Sequence, residues 1–125
     1  MRSVRSCRDN LPKIKVGVVG TCGSGKSALV SGLEKHGYTG KHIAQEHSFA
    51  PKMWQRLTNP DILVYLYVSY EITLARKTFR WTAKEYQEQI RRLQHAIDHA
   101  DIMVNTDLLT PEDVLGAVLE KLVGL

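Results

Sequence analysis

The chain has 125 residues, of which 43% are hydrophobic and 24% are charged. This composition is typical of one ordinary globular domain and excludes a disordered or fibrous chain. The sequence has no long apolar run and no signal-peptide core, so we expect a cytoplasmic protein that does not enter a membrane. Its two cysteines are far apart in the sequence, which argues against a disulfide framework.

The formal net charge of +4 is concentrated at the N-terminus. Residues 1–15 hold five basic residues and one acidic residue, and the rest of the chain sums to zero. A short basic tail can contact nucleic acid or phospholipid, but it is more often a solvated end. We therefore expect a flexible basic tail over residues 1–12 and a single domain over residues 13–125, and we do not expect nucleic acid as a partner.

The first elements of the chain predict a strand, a glycine-rich loop and a helix. Residues 14–19 are mostly apolar and predict a buried strand, and the glycine-rich segment 20–27 follows directly. Apolar residues then recur at helical spacing over residues 28–37, where Gly37 is a typical C-terminal stop. Strand, loop and helix in this order are the context that a phosphate-binding loop requires.

Residues 20–27 match the Walker A pattern G-x-x-x-x-G-K-[ST]. The three glycines allow successive backbone N–H groups to turn inward around an anion. Lys26 would bring a flexible positive charge to the β- and γ-phosphates, and the Ser27 hydroxyl is a suitable ligand for Mg²⁺. The predicted nucleotide-binding residues are Gly20, Thr21, Cys22, Gly23, Ser24, Gly25, Lys26, Ser27 and Ala28. The alternative is a glycine-rich turn that only joins two elements.

The middle of the chain predicts two further strands. Residues 41–47 predict a short second strand, and residues 52–57 predict a short helix with Pro51 at its first position. Residues 59–61 read Asn-Pro-Asp and predict a turn. Residues 62–68 are continuously apolar, which is typical of a parallel strand that is covered on both faces.

The last part of the chain predicts helices around one short strand. A helix is expected over residues 69–80, and a second one, capped by Thr82, over residues 83–100. Residues 102–104 predict the last strand, and a cap at Thr110 with Pro111 after it predicts the final helix. Because strands and helices alternate throughout, we predict a three-layer α/β/α domain with a parallel sheet of four to five strands.

Three segments of this sequence resemble the P-loop kinases of the nucleoside-monophosphate-kinase type, which include thymidylate, adenylate, shikimate and dephospho-coenzyme-A kinases. They are the loop 20–27, the segment 60–80 and the segment 101–114, roughly half of the chain. The second segment is similar to the family's fourth strand and mobile lid, and the third is similar to its last strand, nucleotide-base loop and closing helix. The resemblance implies binding of ATP, or alternatively GTP, with Mg²⁺. If the second strand corresponds to the family's third, the strand order is 2-1-3-4.

The same resemblance assigns roles to two carboxylates. Glu46 would lie near the phosphate loop, where it holds a Mg²⁺-bound water or accepts a proton from the acceptor. The alternative is that Glu46 belongs to a polar strand end exposed to solvent. Asp107 would contact the base or the ribose. Family members often have an aspartate where this chain has Tyr67, and residues 48–61 leave no room for the usual acceptor-binding segment.

The resemblance also implies a basic lid. Arg76 and Arg80 are four residues apart and would share one face of a continuous helix. In that position they would stabilise charge during phosphoryl transfer, whereas the alternative is a solvated basic stripe. For Trp54 and Trp81 we favour a place at the edge of the core over stacking on a base.

These residues predict a kinase-like phosphotransferase that binds ATP and Mg²⁺ and acts on a small acceptor that the sequence does not name. The predicted catalytic residues are Lys26, Glu46, Arg76 and Arg80, and the predicted metal ligands are Ser27 and Glu46. One alternative is a regulatory nucleotide-binding module that lacks an acceptor-binding segment and efficient catalysis. Another is a homodimer or a complex whose second chain completes the acceptor site.

Overall fold

The computed structural model describes residues 13–76 and 80–125. The predicted basic tail and residues 77–79 of the predicted lid lie outside the described residues. In chain order the elements are strand β1 (Lys15–Gly20), helix α1 (Lys26–Lys35), strand β2 (Thr39–His42), a 3₁₀ turn (Gln45–His47), helix α2 (Met53–Leu57), strand β3 (Ile62–Tyr67), helix α3 (Tyr70–Arg76), helix α4 (Ala83–His99), strand β4 (Ile102–Asn105) and helix α5 (Pro111–Val123). None of these helices is both long enough and apolar enough to cross a membrane.

The four strands form one parallel sheet in the order β2-β1-β3-β4. This confirms the predicted fold class and strand order. The two central strands, β1 and β3, are the most apolar, since a central parallel strand is covered by helices on both faces. The carboxyl ends of all four strands lie at the same edge of the sheet, which is where ligands bind in folds of this kind.

Two hydrophobic cores lie on opposite faces of the sheet, as a three-layer domain requires. On one face, residues of α1 and α5 such as Leu33 and Val118 pack against the sheet. On the other face, α2 and α4 contribute Trp54 and Leu93. Trp54 is only 5% exposed, so its indole fills the core and is not available to stack on a base.

A small aromatic cluster closes the edge of this second core. The Trp54 indole N–H donates a hydrogen bond to His95 Nδ1 at 3.1 Å, and the His95 and His99 rings stack with their centroids 4.2 Å apart. Burial, with a smaller contribution from the neighbouring His99, lowers the pKa of His95 below its ordinary value. A neutral imidazole is consistent with a ring nitrogen that accepts the indole hydrogen bond.

The two long C-terminal helices begin as their sequences predict. Thr82 Oγ1 accepts a hydrogen bond from the Glu85 N–H at 3.1 Å, and the Glu85 carboxylate accepts one from the Thr82 N–H at 2.8 Å. Thr110 and Asp113 make the same reciprocal pair at the start of α5, with Pro111 at the first helical position. Each capping box fixes the residue at which its helix starts.

The predicted bounds of the second strand are wrong. Strand β2 begins at Thr39 and ends at His42, and the residues that follow Ala44 form the 3₁₀ turn. The cause is the fully buried side chain of Gln45, whose Oε1 accepts a hydrogen bond from the Trp54 N–H at 2.9 Å and whose Nε2 donates to the Ala50 carbonyl at 2.8 Å. These bonds hold the chain in a turn and place Glu46 in the interior.

Helix α1 is anchored by Leu33, which is fully buried, whereas Leu57 at the end of α2 is 78% exposed. We expect Leu33→Ala to lower the free energy of unfolding by about 2 to 5 kcal/mol, because it removes buried methyl groups and leaves a cavity. Leu57→Ala, the same change in another helix, should alter it by about 0.5 kcal/mol or less. Urea denaturation followed by circular dichroism measures both, and equal losses in the two variants would contradict the packing described here.

Candidate functional site

The loop between β1 and α1 has a conformation that depends on its glycines. Gly23 and Gly25 have φ angles of 88° and 92°, in the left-handed region that favours glycine. At Gly20, a Cβ atom would lie 2.5 Å from the Ser24 Oγ and 2.8 Å from the Leu66 carbonyl oxygen, so a side chain does not fit there. The loop therefore turns sharply and directs the first turn of α1 to the carboxyl edge of the sheet. N–H groups in a first turn have no partner within their helix and suit an anion.

The side chain of Lys26 folds back over the loop that precedes it. Its Nζ donates hydrogen bonds to the carbonyl oxygens of Gly20, at 2.8 Å, and Thr21, at 3.0 Å. The same Nζ forms an ion pair with Glu46 Oε2 at 3.0 Å, and both side chains are more than nine-tenths buried. The structure thus brings together the two residues that were predicted to act with the phosphates and the metal, and it excludes the exposed strand end considered for Glu46.

Three buried polar atoms at this place have no hydrogen-bond partner within the described residues: Glu46 Oε1, Thr21 Oγ1 and Ser24 Oγ. Buried polar groups are nearly always paired in proteins, and each exception needs an explanation. Glu46 also borders a cavity of about 310 Å³ together with Ser27 and other residues of the loop. A carboxylate oxygen and a serine hydroxyl are oxygen donors of the kind that Mg²⁺ prefers, so the residues present fit the predicted ion.

Arg76 lies on the other side of the loop. Its Nη1 donates hydrogen bonds to the Gly23 carbonyl and to Thr106 Oγ1, both at 3.1 Å, and its Nη2 donates to the Thr106 carbonyl. Arg76 therefore ties the loop to the end of β4. It also borders a second cavity, of about 360 Å³, whose walls include the apolar side chains of Leu109 and Val114.

Two other predicted site residues, Arg80 and Asp107, make no hydrogen bond or ion pair with the loop within the part of the chain that the structure describes. Helix α3 ends at Arg76, and Arg80 is exposed and lies outside any helix, so the two arginines do not share a face of one continuous helix. Asp107 Oδ1 accepts a hydrogen bond from the Ser69 N–H at 2.9 Å and borders a different cavity, of about 440 Å³. The roles predicted for Arg80 and Asp107 stay predictions.

The sequence did not indicate that a side chain of α4 contacts the loop. Gln89 is buried on the same helical face as Tyr86 and Leu93. Its Oε1 accepts a hydrogen bond from the Cys22 N–H at 3.0 Å, and its Nε2 lies 3.3 Å from Cys22 Sγ. A polar residue on an otherwise apolar helical face was the one signal that could have drawn attention to it.

No protein-family model matches this chain, and no curated protein matches its sequence. The functional interpretation therefore depends on the Walker A pattern and on the geometry around Lys26 and Glu46.

We expect Glu46→Leu to lower the free energy of unfolding by about 3 to 5 kcal/mol, because it leaves the Lys26 ammonium buried without its counter-charge. The double variant Lys26→Met/Glu46→Leu should lose less than Glu46→Leu alone, since it removes both charges. Urea denaturation of Glu46→Leu, Lys26→Met and the double variant measures this coupling. The matched control is Lys35→Met, which changes an exposed lysine of the same helix. Strictly additive losses would show that the pair does not couple.

Proposed function

We propose that the protein is a P-loop kinase-like phosphotransferase that binds Mg²⁺–ATP at residues 20–27 and transfers the γ-phosphoryl group to a small acceptor. The observation that carries this proposal is the buried Lys26–Glu46 pair against the loop, in which Glu46 Oε1 has no partner among residues 13–76 and 80–125. A buried cation and a buried carboxylate at a glycine-rich loop are costly features that a purely connecting turn does not need.

The roles of the loop residues follow from their chemistry. Lys26 would bind the β- and γ-phosphates as a point charge, and the N–H groups of the first turn of α1 would bind phosphate oxygens. Ser27 and Glu46 would hold Mg²⁺, which neutralises charge on the transferred group when it is bound. The carboxylate of Glu46 can also accept a proton from the acceptor hydroxyl.

Arg76 supports the proposal from the opposite side. Its guanidinium already contacts the Gly23 carbonyl of the loop at 3.1 Å, so little movement would bring its charge to a bound phosphate. Phosphoryl transfer depends mainly on positioning and on neutralising the charge of the transferred group. Arg80 is proposed as a second lid cation on the strength of the family resemblance alone.

The second candidate is a nucleotide-binding regulatory module with little catalysis. It is favoured by the end of β3, where Tyr67 stands in place of a carboxylate and Asp107 is engaged with the Ser69 N–H. In this function Glu46 acts mainly as the counter-charge of Lys26. A homodimer that completes the acceptor site would restore catalysis, and GTP is the alternative nucleotide for both candidates.

Calorimetric titration with ATP, ADP and GTP in the presence of Mg²⁺ tests nucleotide binding. Turnover is then measured against a panel of nucleotides and small metabolites at two or more protein concentrations, so that a dimer is detected. Binding with turnover on at least one acceptor supports the phosphotransferase. Binding without any turnover favours the regulatory module, and the absence of nucleotide binding would overturn both.

Lys26→Ala is expected to weaken ATP binding about tenfold or more, because it removes a charged hydrogen-bond donor worth about 1.5 to 3 kcal/mol. Lys35→Ala is the matched control, since Lys35 lies at the other end of the same helix and is exposed. Its ATP affinity should be unchanged. Equal affinities in the two variants would show that the nucleotide does not use Lys26.

Glu46→Gln is expected to lower kcat more than it lowers ATP affinity. The amide keeps the shape of the side chain but loses the charge that supports Mg²⁺ and the basicity that accepts a proton. Steady-state kinetics over a range of ATP and Mg²⁺ concentrations separates the two parameters. If kcat is unchanged, Glu46 has no part in the transfer step.

A further inference from the structure

We propose that Cys22, Glu46 and His47 form a binding site for a soft divalent cation such as Zn²⁺. One ligand atom from each of the three residues lies within 4.8 Å of those of the other two. The proposal does not depend on the function proposed above, because the Cys22 thiol and the His47 imidazole have no role in that function. The Glu46 carboxylate is shared with the proposed Mg²⁺ site. Its ligands come from two elements, the phosphate loop and the 3₁₀ turn.

The distances between the ligand atoms fit one small ion. Cys22 Sγ lies 3.8 Å from His47 Nε2, and His47 Nε2 lies 3.7 Å from Glu46 Oε2. A tetrahedral zinc ion with bonds of about 2.0 to 2.3 Å holds its ligand atoms about 3.3 to 3.7 Å apart. The Sγ–Nε2 and Nε2–Oε2 distances are therefore close to those that one tetrahedral ion requires, and the third pair lies within 4.8 Å.

An independent observation also points to a ligand here. Glu46 is 3% exposed, and its Oε1 has no hydrogen-bond partner among the described residues. The two carboxylate oxygens differ in their contacts, because Oε2 already forms an ion pair with Lys26 Nζ at 3.0 Å. Oε2 is also the oxygen that lies 3.7 Å from His47 Nε2. A turn of the carboxylate about its last bond would give one oxygen to a cation and the other to Lys26, so that neither is left without a partner.

Gln89 orients the sulfur for this role. Its amide orientation is fixed, because Oε1 must accept from the Cys22 backbone N–H at 3.0 Å. The amide nitrogen consequently donates to Cys22 Sγ at 3.3 Å. Hydrogen bonds of this kind orient metal ligands and stabilise the charge of a coordinating thiolate.

The donor set selects the class of cation. Thiolate and imidazole ligands favour Zn²⁺ and similar ions, whereas Mg²⁺ prefers oxygen ligands alone. His47 is 58% exposed, which gives an ion access from solvent. Three protein ligands leave a fourth position for water or for an oxygen from a molecule in the adjoining cavity, which Cys22 and Glu46 border together with Ser27.

The test is titration of the reduced, metal-free full chain with Co²⁺, whose thiolate complexes absorb in the near ultraviolet, followed by displacement with Zn²⁺. We expect one Co²⁺ per chain with a thiolate band that Zn²⁺ abolishes. Cys22→Ser should lose the band, and His47→Gln should weaken binding about tenfold or more. His47→Gln decides the outcome if Cys22→Ser does not fold, because the exposed His47 makes few packing contacts.

Two control variants make the result specific. Cys7→Ser removes the other thiol, which lies outside the described residues, and His36→Gln removes an exposed histidine at the far end of α1. Both should keep the Co²⁺ band and affinity. Absence of saturable binding, a band that disappears with Cys7→Ser, or unchanged affinity in His47→Gln would overturn the proposal.

The same protein samples separate this proposal from the nucleotide proposal. Zn²⁺ binding without Mg²⁺–ATP binding would leave the soft-cation site in place and overturn the proposed function. Mg²⁺–ATP binding without a Co²⁺ thiolate band would do the reverse.

Discussion

The buried ion pair between Lys26 and Glu46 is the interaction on which the site depends. Two opposite charges are removed from water here, which is unfavourable unless the pair is close and has further hydrogen bonds. Lys26 meets this condition with the carbonyl oxygens of Gly20 and Thr21. Because Glu46 comes from the 3₁₀ turn, the pair joins the β1–α1 loop to the segment after the edge strand β2. The loop is therefore fixed by charge as well as by its glycines.

Polar side chains from the 3₁₀ turn itself and from two other helices, α4 and α3, hold the surroundings of this pair. Gln45 fixes the 3₁₀ turn through the backbone of α2, Gln89 fixes Cys22 from α4, and Arg76 fixes the loop against Thr106 after β4. Each bond crosses from one element to another, and each ends on a backbone group or on a loop side chain. A site built in this way is preorganised, since the groups that face a ligand are held by contacts behind them.

The fold could be predicted because its determinants are local in the sequence. Continuous apolar runs specify β1 and β3, and the capping residues Thr82 and Thr110 specify where α4 and α5 begin. Strand β2 was misplaced because Thr39–His42 carries no apolar pattern and is a strand only through pairing with β1. The position of Glu46 near the phosphate loop was expected from the family resemblance, whereas its ion pair with Lys26 was not. Packing between elements that are distant in the sequence decides how Gln89, Cys22 and His47 lie relative to one another. No local sequence pattern predicts this arrangement.

Glu46 has a part in both proposals, but with different companions. In the proposed nucleotide site, Glu46 would bind Mg²⁺ together with the neutral hydroxyl of Ser27. Most of the negative charge that balances Mg²⁺ would then have to come from the phosphates. Toward a soft cation Glu46 acts with Cys22, whose thiolate brings a negative charge of its own and offsets the nearby ammonium of Lys26. If both proposals hold, the protein without nucleotide should favour the soft cation over Mg²⁺. Bound phosphates should reverse this preference by adding hard oxygen ligands to those of Ser27 and Glu46.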